Sequence, residues 1–107
     1  MTYEEIVYKL QECSIRAKTK EIKQHIAVQF NIYGEGEGAL YIEISGGRMY
    51  VEPYEYFDRD ALIYVEAKTL FDVIEKRENL DTVLADGRLV IQGYHDEARL
   101  LINSIIQ

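Results

Sequence analysis

Tryptophan is absent from this chain, and proline and cysteine occur once each. A lone cysteine, Cys13, closes no internal disulfide, so the fold has to hold by burial alone and suits a reducing compartment. With one proline and no low-complexity run, the composition gives no reason to expect disorder away from the ends. No apolar run approaches the roughly 18 residues that a membrane-spanning helix needs. Cations are the minority, 12 Lys and Arg against 19 Asp and Glu, for a net charge of −7. That argues against nucleic acid, whose phosphates call for clustered Lys and Arg. It also argues against tight binding to an anionic membrane surface. Two histidines and one cysteine, far apart in the chain, offer no zinc-ligand spacing.

What is present is enough for one domain. Of 107 residues, 48% are hydrophobic, and a chain of this size buries roughly 65% of the surface it exposes when unfolded. The acids crowd into one stretch, with Glu35, Glu37, Glu43, Glu52, Glu55, Asp58 and Asp60 facing only Arg48 and Arg59. A solvated loop edge explains them, and a basic partner or a divalent cation is the sharper alternative. The start, Met1 to Glu5, is acidic and unlike a secretory signal. The Ser104 to Gln107 end is not a peroxisomal address of the Ser-Lys-Leu kind. The cytoplasm is the expected location.

Periodicity supplies the elements. Thr2 and Glu5 have capping-box spacing, and Tyr3, Ile6, Val7, Leu10, Cys13 and Ala17 make an apolar stripe, predicting a helix from about 3 to 18. That stripe makes Cys13 a core residue. From Ile26 the period becomes two: Ile26, Val28, Phe30 and Ile32 alternate with Ala27, Gln29, Asn31 and Tyr33, a strand with one buried face. A turn at residues 34–38 leads to Leu40, Ile42 and Ile44 in a second strand. Gly46-Gly47 is a hairpin signal before a third strand, Arg48 to Glu52. Pairing Ser45 with Arg48 sets Ile44 opposite Met49 and Ile42 opposite Val51. Pairing Tyr33 with Ala39 sets Ile32 opposite Leu40 and Phe30 opposite Ile42. Both keep apolar residues on one face. Pro53 after the third strand points to a sheet edge.

Residues 54–60 read as a loop, and Ala61 to Glu66 as a fourth strand. Thr69 is the expected N-cap of a helix carrying Leu70, Phe71, Val73 and Ile74 that ends at Asn79. Asp81 is the expected cap of a short helix through Val83 and Leu84. Asp86-Gly87 turns into a fifth strand with Leu89, Val90 and Ile91, which Gly93 ends. Residues 95–106 make a last helix with Ala98, Leu101, Ile102 and Ile105 on one face.

None of the chemistry-bearing residues forms a recognised constellation. The glycines at 34, 36 and 38 lack Gly-x-Gly-x-x-Gly spacing, lead into a strand and carry Glu35 and Glu37 between them, so they make a hairpin and not a phosphate loop. Cys13, Ser14, Ser45 and Ser104, with His25 and His95 as bases, sit in no nucleophile signature. Asp58-Arg59-Asp60 lacks the further ligands of a calcium loop. Tyr33, Tyr41 and Tyr50 fall on the polar phase of the strands. With Gln29, Asn31, Glu43 and Glu52 they would form the open face of the sheet, in rows Asn31–Tyr41–Glu52 and Gln29–Glu43–Tyr50. That face is either solvated or the surface of a weak homodimer.

The order of elements carries a resemblance. Val28-Gln29-Phe30-Asn31-Ile32 before Gly34-Glu35-Gly36, Leu40-Tyr41-Ile42-Glu43-Ile44 before Gly46-Gly47, and above all residues 84–94, Leu-Ala-Asp-Gly-Arg-Leu-Val-Ile-Gln-Gly-Tyr, resemble the sterol carrier protein type 2 family over about residues 5 to 106. The resemblance implies an α+β fold with a five-stranded mixed sheet of order 3-2-1-4-5. Its first three strands are an antiparallel meander, and helices on one face enclose an apolar tunnel. It implies non-catalytic binding or transfer of a hydrophobic small molecule, a fatty acid, sterol-like or other lipid, with no catalytic residue, cofactor or metal and no stable membrane insertion. The alternative is an accessory module that dimerises with an enzyme or presents a substrate to it. The tunnel lining is expected from Phe30, Ile42, Phe71, Ile74, Val83, Leu84, Leu101, Ile102 and Ile105. The missing peroxisomal address and the charge of −7 depart from the basic eukaryotic carriers, which weighs against acyl-CoA and anionic membranes.

Overall fold

The computed structural model describes residues 1–106. Helix α1, Tyr3–Ile15, starts at a reciprocal capping box: the Thr2 hydroxyl accepts from Glu5 N at 3.1 Å, and the Glu5 carboxylate accepts from Thr2 N at 2.8 Å. Ile6, Val7, Leu10 and Cys13 are buried as the stripe predicts. The helix stops three residues short of the expected end. Arg16 is its C-cap, and the Lys18 N–H is committed to the Ser104 carbonyl at 2.7 Å, which draws the chain away.

Five strands follow: β1 Ile26–Tyr33, β2 Gly38–Ser45, β3 Arg48–Glu52, β4 Ala61–Glu66 and β5 Leu89–Gly93. Their order is β3-β2-β1-β4-β5, with β1 and β4 parallel and every other pair antiparallel. The meander and the edge position of β3 beside Pro53 are as periodicity and Pro53 predict, and the mixed sheet and its strand order are as the family resemblance implies. The β2–β3 register too is as the sequence predicts, with Ile44 opposite Met49 and Ile42 opposite Val51.

The β1–β2 register is not. Phe30 faces Leu40, Val28 faces Ile42 and Ile32 faces Gly38, a slip of two residues from the expected pairing. Side chains alternate with period two, so the slip keeps every residue on its face and changes only its partner. The cross-strand rows become Gln29–Tyr41–Glu52 and Ala27–Glu43–Tyr50. The reason lies outside the hairpin. Gly38 is drawn into β2 because the ring of Tyr3 lies against it, so close that a Cβ there would sit 2.5 Å from the ring, and the Tyr3 hydroxyl donates to the Ala39 carbonyl. Gly36, at φ +75°, gives the tighter turn the left-handed conformation it needs.

Three more helices complete the chain: α2 Ala67–Ile74, α3 Leu80–Ala85 and α4 His95–Ile105. Two expected caps are corrected. Glu66, not Thr69, precedes α2, so the helix runs straight out of β4. Six of its eight residues are buried, and packing of that face outweighs the cap preference of Thr69. Asn79 does not end α2; it starts α3, its side-chain oxygen accepting from Asp81 N at 2.8 Å, in the role expected of Asp81. α2 ends at Ile74, where Arg77 N and Glu78 N both donate to the Asp72 carbonyl and Lys76 takes φ +65°.

The order β3-β2-β1-β4 obliges the β3–β4 connection to cross the sheet. It runs over the face opposite the helices and seats on β1. Ala27 N donates to the Asp60 carboxylate at 2.8 Å, and the Gln29 side-chain oxygen accepts from Tyr56 N at 3.1 Å. Ala27 and Gln29 are therefore buried, against the expectation of one buried face on this strand. The ring of Tyr56 packs on Tyr41 with centroids 4.7 Å apart, and its hydroxyl reaches Glu43.

Candidate functional site

Between the helices and the sheet lies one apolar layer. Phe30 and Ile42 rise into it from β1 and β2, Phe71 and Ile74 from α2, Val83 from α3, and Leu101, Ile102 and Ile105 from α4; all eight are buried members of a single core cluster. Leu84 is the exception among the nine expected lining residues, half-buried and packed against the cluster's edge. The fold thus brings the set to one layer. Within it the buried side-chain polar atoms among the described residues all have partners. Ser104, for instance, turns its hydroxyl back onto the Leu101 carbonyl at 2.6 Å.

Of the nine, Phe71 also borders a surface cleft of about 530 Å³ between α1 and the start of α2. Ala67 and Phe71 form its apolar floor, and Tyr33, Glu35 and Glu66 its wall on the sheet side. The opposite wall is a chain of ion pairs. Lys68 and Arg77 each reach the Asp72 carboxylate at 2.8 Å, Arg77 reaches Glu75 at 3.0 Å, and Lys9 stands 3.6 Å from Glu75. The Lys68 ammonium, with Arg77 behind it, holds the Asp72 carboxyl below the usual carboxylate range. Arg77 lowers Glu75 in the same way. The Lys9 ammonium lies 4.4 Å above the centroid of the Phe71 ring, a cation–π contact.

The sequence reading missed Lys9. Its signal was there: Lys9 lies three residues after Ile6 and four before Cys13, on the flank of the α1 stripe, where a long stem lies on apolar surface and its charge reaches solvent. Lys68 had a signal of its own, four residues before Asp72 on the same helix, whereas Arg77 gave none, because only the turn after α2 brings it to Asp72.

The residues weighed as nucleophiles and bases are not assembled. Cys13 is buried, and burial pushes its thiol up, against the thiolate that nucleophilic chemistry needs. His25 is exposed at the head of β1 and pairs with Glu43, while His95 is exposed at the first turn of α4. No helix among the described residues is long and apolar enough to cross a membrane.

Comparison with known proteins bears on this geometry. The profile of the SCP-2 sterol transfer family matches residues 7–101. A search of the curated proteins found no match. Among solved structures, the palmitated SCP2L2 of Aedes aegypti superposes with a TM-score of 0.71 at 17% identity, over 100% of this chain and 96% of that one. Sterol Carrier Protein 2 of Yarrowia lipolytica gives 0.59 at 12%, over 94% and 84%. The sec-alkylsulfatase Pisa1 of Pseudomonas sp. gives 0.77 at 11%, over 89% of this chain but only 15% of the sulfatase. At these identities the likeness establishes the fold.

Proposed function

The chain belongs to the SCP-2 sterol transfer family, a family of lipid and sterol binding and transfer, and on that premise we propose that it is a non-catalytic carrier of a hydrophobic ligand. The ligand class is a fatty acid, a sterol-like molecule or another lipid, held between sheet and helices against Phe30, Ile42, Phe71, Ile74, Val83, Leu84, Leu101, Ile102 and Ile105. The observation that supports this reading is the layer itself. It is apolar across the whole sheet and offers a guest no unpaired polar group among the described residues. Binding there is driven by apolar burial, about 25 cal/mol per Å² before ordering costs. Selection is by shape and length and is soft, since one methylene is worth about 1 kcal/mol. The cytoplasmic location expected from the sequence belongs to the same proposal.

Native mass spectrometry of gently purified protein, alone and with added palmitate, tests the carrier. Reproducible extra mass matching a bound lipid is the expected result. Bare protein with no uptake of palmitate would remove it and leave the second reading, an accessory module. That reading rests on one observation: the same fold occupies a small part of a much longer sulfatase.

The helix-free face is where we place a weak homodimer. Tyr50 stays 43% exposed there, outside the area that the β3–β4 crossover covers. Tyr41, spent on Tyr56, is no longer its anchor.

A further inference from the structure

In an acidic protein, the cleft between α1 and α2 is a place where cations gather against an apolar floor. Lys9, Lys68, Arg77 and the Met1 ammonium, the last paired with Glu35, share it with Phe71 and Ala67. Their free donors differ. Lys68 and Arg77 are each engaged at 2.8 Å by Asp72. Lys9 makes the longest of these pairs, 3.6 Å to Glu75, and Glu75 is itself held more closely by Arg77 at 3.0 Å. An ammonium has three donors, and on Lys9 they face the cleft from above the Phe71 ring. Phe71 belongs at once to the floor of this cleft and to the core cluster. It is the partition between the cleft and the apolar layer.

We infer that this cleft is the mouth of the site and the seat of an anionic head group, with Lys9 as the residue that selects the anion and Phe71 as the ring that yields to the chain behind it. The ligand class is an amphiphile with one carboxylate and an apolar tail. The inference rests on the carrier reading above. The acids in the cleft fix where the carboxylate sits. Glu35 is neutralised by the Met1 ammonium, but Glu66 lies beside Gly34 and repels an anion from the sheet side, which leaves the α1–α2 wall as its place. The tail then runs over Phe71 toward the layer, as an anion in reach of Lys9 and a chain over an aromatic floor both require. The volume, about 530 Å³, lies in the range of small-molecule sites, roughly 300–1,000 Å³.

The test compares palmitate with 1-hexadecanol, which keeps the chain and lacks the charge, on wild type, Lys9→Gln and Lys9→Arg, with melting temperature as the check on folding. Lys9→Gln should bind palmitate about fivefold more weakly, the order expected of a half-exposed ion pair. Its affinity for hexadecanol should be unchanged, and Lys9→Arg should restore palmitate. Raised salt should erase the difference between wild type and Lys9→Gln. Equal binding of palmitate by wild type and Lys9→Gln, or an equal loss of both probes in Lys9→Gln, overturns the head-group seat while the carrier reading stands. Wild type binding neither probe overturns both.

Discussion

Phe71 and Leu101 decide whether the apolar layer is filled or merely lined. Both are buried, Phe71 on α2 against the cleft and Leu101 on α4 over the sheet. Truncating a packed side chain of this kind costs about 2–5 kcal/mol. Phe71→Ala and Leu101→Ala are expected to lose less than that in urea unfolding and to change which chain length is preferred in fatty-acid competition. A full-sized loss with no change in uptake would make them ordinary core. Asp72 offers a test without ligand. Its carboxylate joins Lys68 and Arg77 and sits below the usual range, so its stabilisation is complete above the unfolded carboxylate value and fades as pH falls through the lower folded one. Asp72→Asn should therefore cost about 1–3 kcal/mol near neutrality, and its deficit should shrink in acid. Denaturant titrations across pH check this, and a deficit constant down to the acid limb would show that the pairs contribute nothing.

α4 is the element whose attachment is most separable. Its Ala98, Leu101, Ile102, Ser104 and Ile105 are buried, so removing residues 95–107 should expose the core and abolish fatty-acid binding. Unchanged affinity in the shortened protein would show that α4 is no wall of the site. Several such side chains at about 2–5 kcal/mol each rival a whole domain's stability of about 5–15 kcal/mol, so a gentler probe is also needed. The outer side of α4 is held to α3 by the Arg99–Asp81 ion pair and to the α1–β1 connection by Lys18 N on the Ser104 carbonyl. An exposed ion pair is worth at most about 1 kcal/mol. Arg99→Ala should leave global stability nearly unchanged while speeding amide exchange in α4 and the release of bound lipid. Unaltered exchange would mean that the buried stripe alone holds the helix.

On the scale of the molecule, the charge of −7 and the half-covered open face act together. Glu43 and Glu52 share that face with Tyr50, so two copies meeting there about a two-fold axis bring carboxylates together. The expected homodimer is weak and is strengthened by salt. Sedimentation across protein concentration should show association for wild type and monomer for Tyr50→Arg. A wild type that stays monomeric at every concentration and salt level would remove it.

Periodicity and punctuation carry local information, and the local features were legible in the sequence. Thr2 with Glu5, the alternation from Ile26 and from Leu40, Gly46-Gly47, and Gly93 before the last helix mark α1, the first three strands and the start of α4 and the side each turns to the core, because a helix or strand declares its inward side in 3.6- or 2-residue steps. The β2–β3 register was legible for the same reason, since its turn contains everything that sets it. The β1–β2 register was not. The turn at residues 34–38 permits two pairings that bury the same side chains, and Tyr3, 35 residues before Gly38, chooses between them. Nor could the sequence tell that Glu66 would replace Thr69 before α2, that Asp60 and Tyr56 would cover Ala27 and Gln29, or that Lys9 would come to rest on Phe71. Each of these depends on residues distant in the chain whose meeting the sheet order imposes, and periodicity does not encode distance across a fold.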